Sequence, residues 1–157
     1  MRLDRDDFLH LVRCGPLVSL DLVVRDSHDR VLVGWRVHRP ARDAWFVPGG
    51  RVYKDERVAD AFRRITDAEL GASHELSAAT PLGVFEHLYD DNGLDAAGVS
   101  THYVVLGYEL RVDDDLQPPA AQHSAYRWMP VAELLADGAV HANTRAYFEA
   151  SPSTAPR

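Results

Sequence analysis

Cysteine is almost missing from this chain of 157 residues: Cys14 stands alone, so no internal disulfide can form. The opening Met1-Arg2-Leu3-Asp4-Arg5-Asp6-Asp7 lacks the apolar core of a signal peptide, and a cytoplasmic protein is expected. Basic charge is outnumbered, 17 Lys and Arg standing against 24 Asp and Glu. A net charge of −7 disfavours broad attraction to nucleic acid, although a local group of arginines can still receive a small phosphorylated ligand. Lys54 is the sole lysine among 17 basic residues. Arginine suits bidentate phosphate contacts, but genome composition accounts for most of these positions. With 46% hydrophobic and 26% charged residues, neither disorder nor a membrane span is suggested. There is no internal repeat and no coiled-coil heptad. One domain over residues 1–150 is expected, and residues 151–157, rich in Ser and Pro, read as a frayed tail.

What is present is apolar periodicity. Residues 17–24 and 30–36 are β-rich runs around the polar turn Ser27-His28-Asp29, which predicts a hairpin. A third run, Ala44-Trp45-Phe46-Val47, stops at Pro48-Gly49-Gly50, where proline and glycines break regular pairing and let backbone approach a ligand; a loop is expected there. Over 57–70, Val58, Ala61, Phe62 and Ile65 recur at helical spacing, and Gly71 stands where a helix terminator belongs. Further strands are predicted near 82–89, 102–112 and 126–129, with helices at 131–136 and 143–150. Strands interleaved with one long helix and a closing helix point to a mixed α/β sandwich, helices covering a sheet.

One residue breaks the pattern. On a helical wheel Glu69 falls in the middle of the stripe formed by Val58, Phe62 and Ile65. A carboxylate facing a core is costly unless paired or metal-bound, so either Glu69 has a function or the helix end opens to solvent. Glu56 sits at the helix start, where its charge suits the helix dipole and, taken alone, is merely good capping.

Taken together, the glycine loop, Glu56, Arg64, Glu69 and Gly71 resemble the Nudix box, G-x5-E-x7-R-E-U-x-E-E-x-G-U with U aliphatic. Here it reads Gly50-x5-Glu56-x7-Arg64-Ile65-Thr66-Asp67-Ala68-Glu69-Leu70-Gly71-Ala72, with Ile65 and Ala68 at two acidic positions. That departure resembles the GDP-mannose mannosyl hydrolase branch. The likeness extends to Pro16 through Asp21, Trp45 through Arg51, His87-x-Tyr89-Asp90-Asp91-Asn92, Thr101 through Gly107, Gln122-His123, Tyr126-Arg127-Trp128 and Val140-His141-Ala142-Asn143, and covers roughly residues 3–148.

The resemblance implies a Nudix-type α/β/α sandwich with a mixed sheet and a catalytic helix after the glycine loop. It implies hydrolysis of GDP-mannose, with GDP-glucose also admitted, to GDP and free sugar by water attack on the anomeric carbon with inversion. It also implies a homodimer. One Mg²⁺ per site would be held by the Gly49 carbonyl, Glu69 and Gln122, few protein ligands sufficing because Mg²⁺ usually keeps waters and substrate phosphates. Arg36 and Arg51 would contact the diphosphate; otherwise they are surface charge. Arg64 would fix helix and loop through Glu56. His123 would be the general base, an unperturbed imidazole titrating at about 6.5, though histidines are common in polar loops. Asp21, a lone acid in an apolar strand, His87 and Tyr103 match positions that bind sugar or phosphate, and Asp21 and Arg36 are also candidates for the chemistry. Without the likeness each is equally a core-edge polar residue with a local hydrogen bond. Asp90-Asp91-Asn92 reads as a turn rather than a metal site. Two rivals stand beside this reading: an ordinary Nudix pyrophosphohydrolase attacking phosphorus, against which the missing acids count, and a silent nucleotide-sugar-binding module, which would need neither Glu69 nor His123.

Overall fold

Asp4 opens a helix that is not among those expected above. Its side chain accepts hydrogen bonds from the backbone N–H groups of Asp6 (3.0 Å) and Asp7 (2.9 Å) and so caps α1 (Arg5–Cys14). Val12 is its one buried residue, and Phe8 and Leu9 pack partly buried on the same small cluster with Leu17 and Val99. The computed structural model describes residues 3–119 and 125–149. Gln122, His123 and the tail at 151–157 lie outside the described residues.

The remaining elements are β1 (Leu17–Arg25), β2 (Val31–Trp35), β3 (Trp45–Phe46), β4 (Gly49–Arg51), α2 (Val58–Leu70), a 3-10 turn at Leu76–Ala78, β5 (Thr80–Tyr89), β6 (Thr101–Arg111), β7 (Tyr126–Met129), α3 (Val131–Ala136) and α4 (Ala142–Arg145). The sheet runs β3-β2-β1-β6-β5, with β4 added to β1 and β7 to β2. It is mixed: β1 and β6 run parallel, from Leu17 opposite Tyr103 to Arg25 opposite Arg111, and the other pairings are antiparallel.

The expected hairpin is paired beside its turn, where Arg25 faces Val31, and then opens. β2 turns to β7, while β1 takes β4, with Ser19 opposite Arg51, Leu20 opposite Gly50 and Asp21 opposite Gly49. The glycine segment is therefore a short strand where a loop was expected. It fits because it has no side chains. A Cβ on Gly49 would lie 2.5 Å from the Leu20 carbonyl oxygen and 2.6 Å from Asp21 Oδ1, and one on Gly50 would lie 3.1 Å from Ile65 Cγ1.

Successive residues of β1 enter different cores. Leu20, Leu22 and Val24 pack with Phe62, Ile65 and Leu70 of α2 on one side, and Val23 packs with Phe46, Met129, Leu134 and Val140 on the other. Burial on both faces explains why residues 17–24 read as a nearly unbroken apolar run, and helices on both sides complete the sandwich. Gly71 ends α2 in the left-handed conformation (φ 75°), its N–H donating to the Asp67 carbonyl at 3.0 Å. Among the described residues, no helix is long and apolar enough to cross a membrane.

Candidate active site

The parting of β1 from β2 leaves a cleft of about 280 Å³, floored by β1 and β4 and walled by α2, β5 and β6. Asp21, Arg36, Gly49, Arg51, Glu69, His87 and Tyr103 all line it, although they come from six different segments. Glu69 is 6% exposed and follows Phe62 and Ile65 down the buried face of α2. The carboxylate on the apolar stripe thus opens onto the cleft. The two box positions that lost their acids take other parts: Ile65 is buried against Gly50 and the core, and Ala68 is exposed. Asp67 is exposed and Asp60 pairs with Arg63, so Glu69 is the carboxylate that α2 brings to the cleft.

Glu56 and Arg64 do not line the cleft but build its wall. Arg64 donates from Nε to Glu56 Oε1 at 2.7 Å and from Nη2 to Oε2 at 2.8 Å, and Nη2 also donates to the Arg51 carbonyl at 2.8 Å. The Tyr53 N–H donates to the same Glu56 carboxylate at 2.9 Å. Hydrogen bonding from Arg64 holds the Glu56 carboxyl below the usual range, against the opposing effect of burial. This fork ties β4 to α2 across the segment that joins them.

Asp21 is nearly buried, and Tyr147 donates a hydrogen bond to its Oδ2 at 2.7 Å. Burial pushes this carboxyl up to about 6, the Tyr147 hydrogen bond and the Arg36 charge acting against the rise. His87 Nδ1 lies 4.0 Å from the same oxygen. Burial, then the proximity of His141 and Arg36, pushes the His87 imidazole down to about 4, so near neutral pH it is uncharged and the contact is not an ion pair. Its Nε2 is buried without a hydrogen-bond partner among the described residues. Tyr103 sits directly across from His87 in the β5–β6 pairing, its phenol pushed up by burial. Arg36 lies just beyond β2 with its guanidinium 5.2 Å from the centre of the Phe46 ring, and that of Arg51 lies 4.1 Å from the Phe8 ring centre. Phe8 belongs to α1, which thereby touches a cleft residue.

Sequence reasoning passed over Ser19, His38, Phe46 and Tyr89, all of which line the cleft. Two were within reach: Ser19 stands two residues before Asp21 on β1 and Tyr89 two after His87 on β5, spacings that put each pair on one face. The Tyr89 hydroxyl accepts from Asn143 Nδ2 at 3.1 Å, and burial pushes its phenol up to about 12.

Beside the His38 and His87 imidazoles, the cleft offers a metal oxygen donors: the Glu69 and Asp21 carboxylates and the backbone at Gly49, where a side chain would collide. This set fits a hard divalent cation. Among the described residues, the cleft does not bring three ionisable ligand atoms together; the cluster that does so is Asp26, His28 and Asp114, away from the cleft. There Asp26 is engaged with Arg30 and Asp114 with Ser27, which fastens the β1–β2 turn.

Comparison with known proteins bears on most of the chain. It is 43% identical over 124 residues to the low-salt glycan biosynthesis protein Agl8 of Haloferax volcanii, a match covering 78% of this chain and 76% of that protein. A MutT NUDIX hydrolase from Burkholderia pseudomallei superposes with a TM-score of 0.68 at 26% identity, over 85% of this chain and 95% of that one. The MutT protein of Methanosarcina mazei Go1 shares the fold, with a TM-score of 0.68 at 18% identity over 86% and 92% of the two chains. Residues 15–150 match the NUDIX domain. The span holds the box, the strands that floor the cleft and the helix that delivers Glu69, and by that match the chain belongs to the Nudix hydrolase family.

Proposed function

We propose that the chain hydrolyses GDP-mannose, with GDP-glucose as the close alternative, to GDP and the free sugar by attack of water on the anomeric carbon. The observation that carries this reading is the thin acid set of α2: one of its carboxylates reaches the cleft, while the other two face away. Activating water on phosphorus by the ordinary Nudix route takes a full acidic set. Departure of a diphosphate needs charge neutralisation more than a proton. Agl8 is named for glycan biosynthesis, and nucleotide sugars are the activated donors of glycan assembly.

In this reading Gly49, Glu69 and Gln122 would hold one Mg²⁺, which when bound neutralises charge on the diphosphate. The other steps belong to the chain's own groups. Arg36 and Arg51 bind the diphosphate, the guanidinium fork matching its oxygens as charge develops there. Asp21 accepts a hydrogen bond from a sugar hydroxyl. His87, uncharged, and Tyr103 face each other across the β5–β6 pairing in the cleft and bind the sugar or a phosphate. His123 takes the proton of the attacking water on the face opposite the leaving group.

Hydrolysis in ¹⁸O-labelled water tests the choice of bond. The label is expected on the sugar and not on the nucleotide. An α-linked substrate should release the β-sugar first, seen by proton NMR before mutarotation. Label in a phosphate product would establish the pyrophosphohydrolase rival, and tight binding without turnover the silent module. A homodimer in the cytoplasm completes the proposal, supported by the resemblance and by the exposed Val84 and Leu88 on edge strand β5. Sedimentation velocity showing only a 17.5 kDa species would end the dimer, and cell fractionation tests the location.

A further inference from the structure

The segment after β7 reaches the cleft from below at three points. The Asn143 amide donates to Tyr89 OH at 3.1 Å, Thr144 Oγ1 accepts from the Val47 N–H at 3.3 Å, and the Tyr147 hydroxyl donates to Asp21 Oδ2 at 2.7 Å. Tyr89, Val47 and Asp21 all line the cleft, and none of the three residues that grip them does. Residues 143 and 147 are four apart across α4 and the turn that follows, a spacing that sends both side chains the same way.

Tyr147 is held more firmly than a surface tyrosine needs to be. Its ring meets that of Phe85 edge-on, with centres 4.6 Å apart, and both rings close over Gly107, where a Cβ would lie 3.2 Å from Tyr147 Cε1 and 2.9 Å from Phe85 Cε2. The ring has little room to swing, so its hydroxyl is fixed on one oxygen of Asp21. The other oxygen, Oδ1, is packed against Gly49, where even a methyl group would come within 2.6 Å. A carboxylate left to itself rotates about its last torsion, which is broad. Between Tyr147 and Gly49 this one is set.

We propose that Tyr147 is a positioning residue of the active site: its hydroxyl orients the Asp21 carboxylate so that the remaining lone pairs of that carboxylate receive a sugar hydroxyl. The inference rests on the nucleotide-sugar reading above and deepens it, because it assigns the carboxy-terminal segment to recognition of the sugar rather than of the diphosphate. Burial and the neighbouring Asp21 charge keep the phenol protonated, so the group can only donate to the carboxylate.

Tyr147→Phe keeps the ring and deletes the donor. KM for GDP-mannose should rise roughly tenfold, as expected for losing the hydrogen bond that orients a charged group, with kcat changed far less. Inhibition by GDP, which lacks the sugar, should stay at the wild-type value. A second measurement needs no turnover: the ¹³C resonance of the Asp21 carboxyl in the ligand-free protein should shift in Tyr147→Phe. An unchanged KM, an unshifted resonance, or equal weakening of GDP and GDP-mannose would each overturn the inference, the last by showing a general loosening of the cleft. Failure of the underlying reading looks different, since wild-type protein would then leave GDP-mannose intact or put ¹⁸O on phosphate while the carboxyl resonance still reports on the contact.

Discussion

Glu69→Gln should lower turnover by roughly 10³-fold, the scale of several kcal/mol of charge stabilisation lost with a metal ligand, and should move the Mg²⁺ dependence to higher concentration. The substitution keeps the size of the side chain, so Phe62 and Ile65 on the same face of α2 should stay packed and the circular dichroism of the helix should not change. It removes the charge at a position only 6% exposed, where a carboxylate has little water to solvate it. The placement suits an ion: Glu69 shares the cleft with Asp21, Gly49 and two arginines, Arg36 and Arg51, so groups of both signs line it. Rates measured against Mg²⁺ concentration for both proteins decide the matter. Superimposable curves with equal turnover would remove Glu69 from the site.

For His123→Gln the expected loss in kcat is about 10²–10⁴-fold with substrate binding retained, the range that a general base contributes. His123 lies outside the described residues, so the expectation rests on its place beside Gln122 in the family pattern. The pH profiles sharpen it. In wild-type protein kcat should fall as the pH drops and the imidazole gains a proton, and that limb should be lost from kcat in the variant. Asp21 titrates in the same region in the ligand-free protein, burial having pushed it up to about 6. It loses its charge as the pH falls through that value. Since kcat/KM reports ionisations of the free enzyme, an acidic limb should persist there in the variant. Unchanged turnover in His123→Gln would eliminate the base.

Glu69 was legible because a helix has a fixed period, and a charge on its apolar stripe conflicts with everything around it. The box spacing likewise lies along one stretch of chain, and the Glu56–Arg64 pair falls within it. What was hidden depends on contacts between distant segments. The parallel pairing of β1 with β6 joins residues more than 80 apart, from Leu17 opposite Tyr103 onward, and both strands read simply as apolar runs. The Tyr147–Asp21 hydrogen bond spans 126 residues, and no periodicity connects its ends. α1 is absent from the sequence reading although Phe8, Leu9 and Val12 give it an apolar face, because it follows directly on the charged opening Arg2-Leu3-Asp4-Arg5-Asp6-Asp7. Pro48-Gly49-Gly50 reads as a loop because proline and glycine are poor in strands in general. Here the missing side chain of glycine is what lets β4 lie against β1 and α2.

The cleft is assembled from two sources joined along the β1–β4 pairing. The helix side supplies Glu69 and, through the Arg64 fork, the shape of the segment carrying Arg51, whereas the sheet side supplies Asp21, His87, Tyr89 and Tyr103. Within the cleft their functional groups come closest where Asp21 presses on Gly49. For a lineage under selection this is a separable inheritance: strands β5 and β6 can drift and change which molecule is admitted while the helix that handles charge stays as it was. Asp21 and Gly49 are the hinge of that freedom, since a change at either is felt by both sides at once.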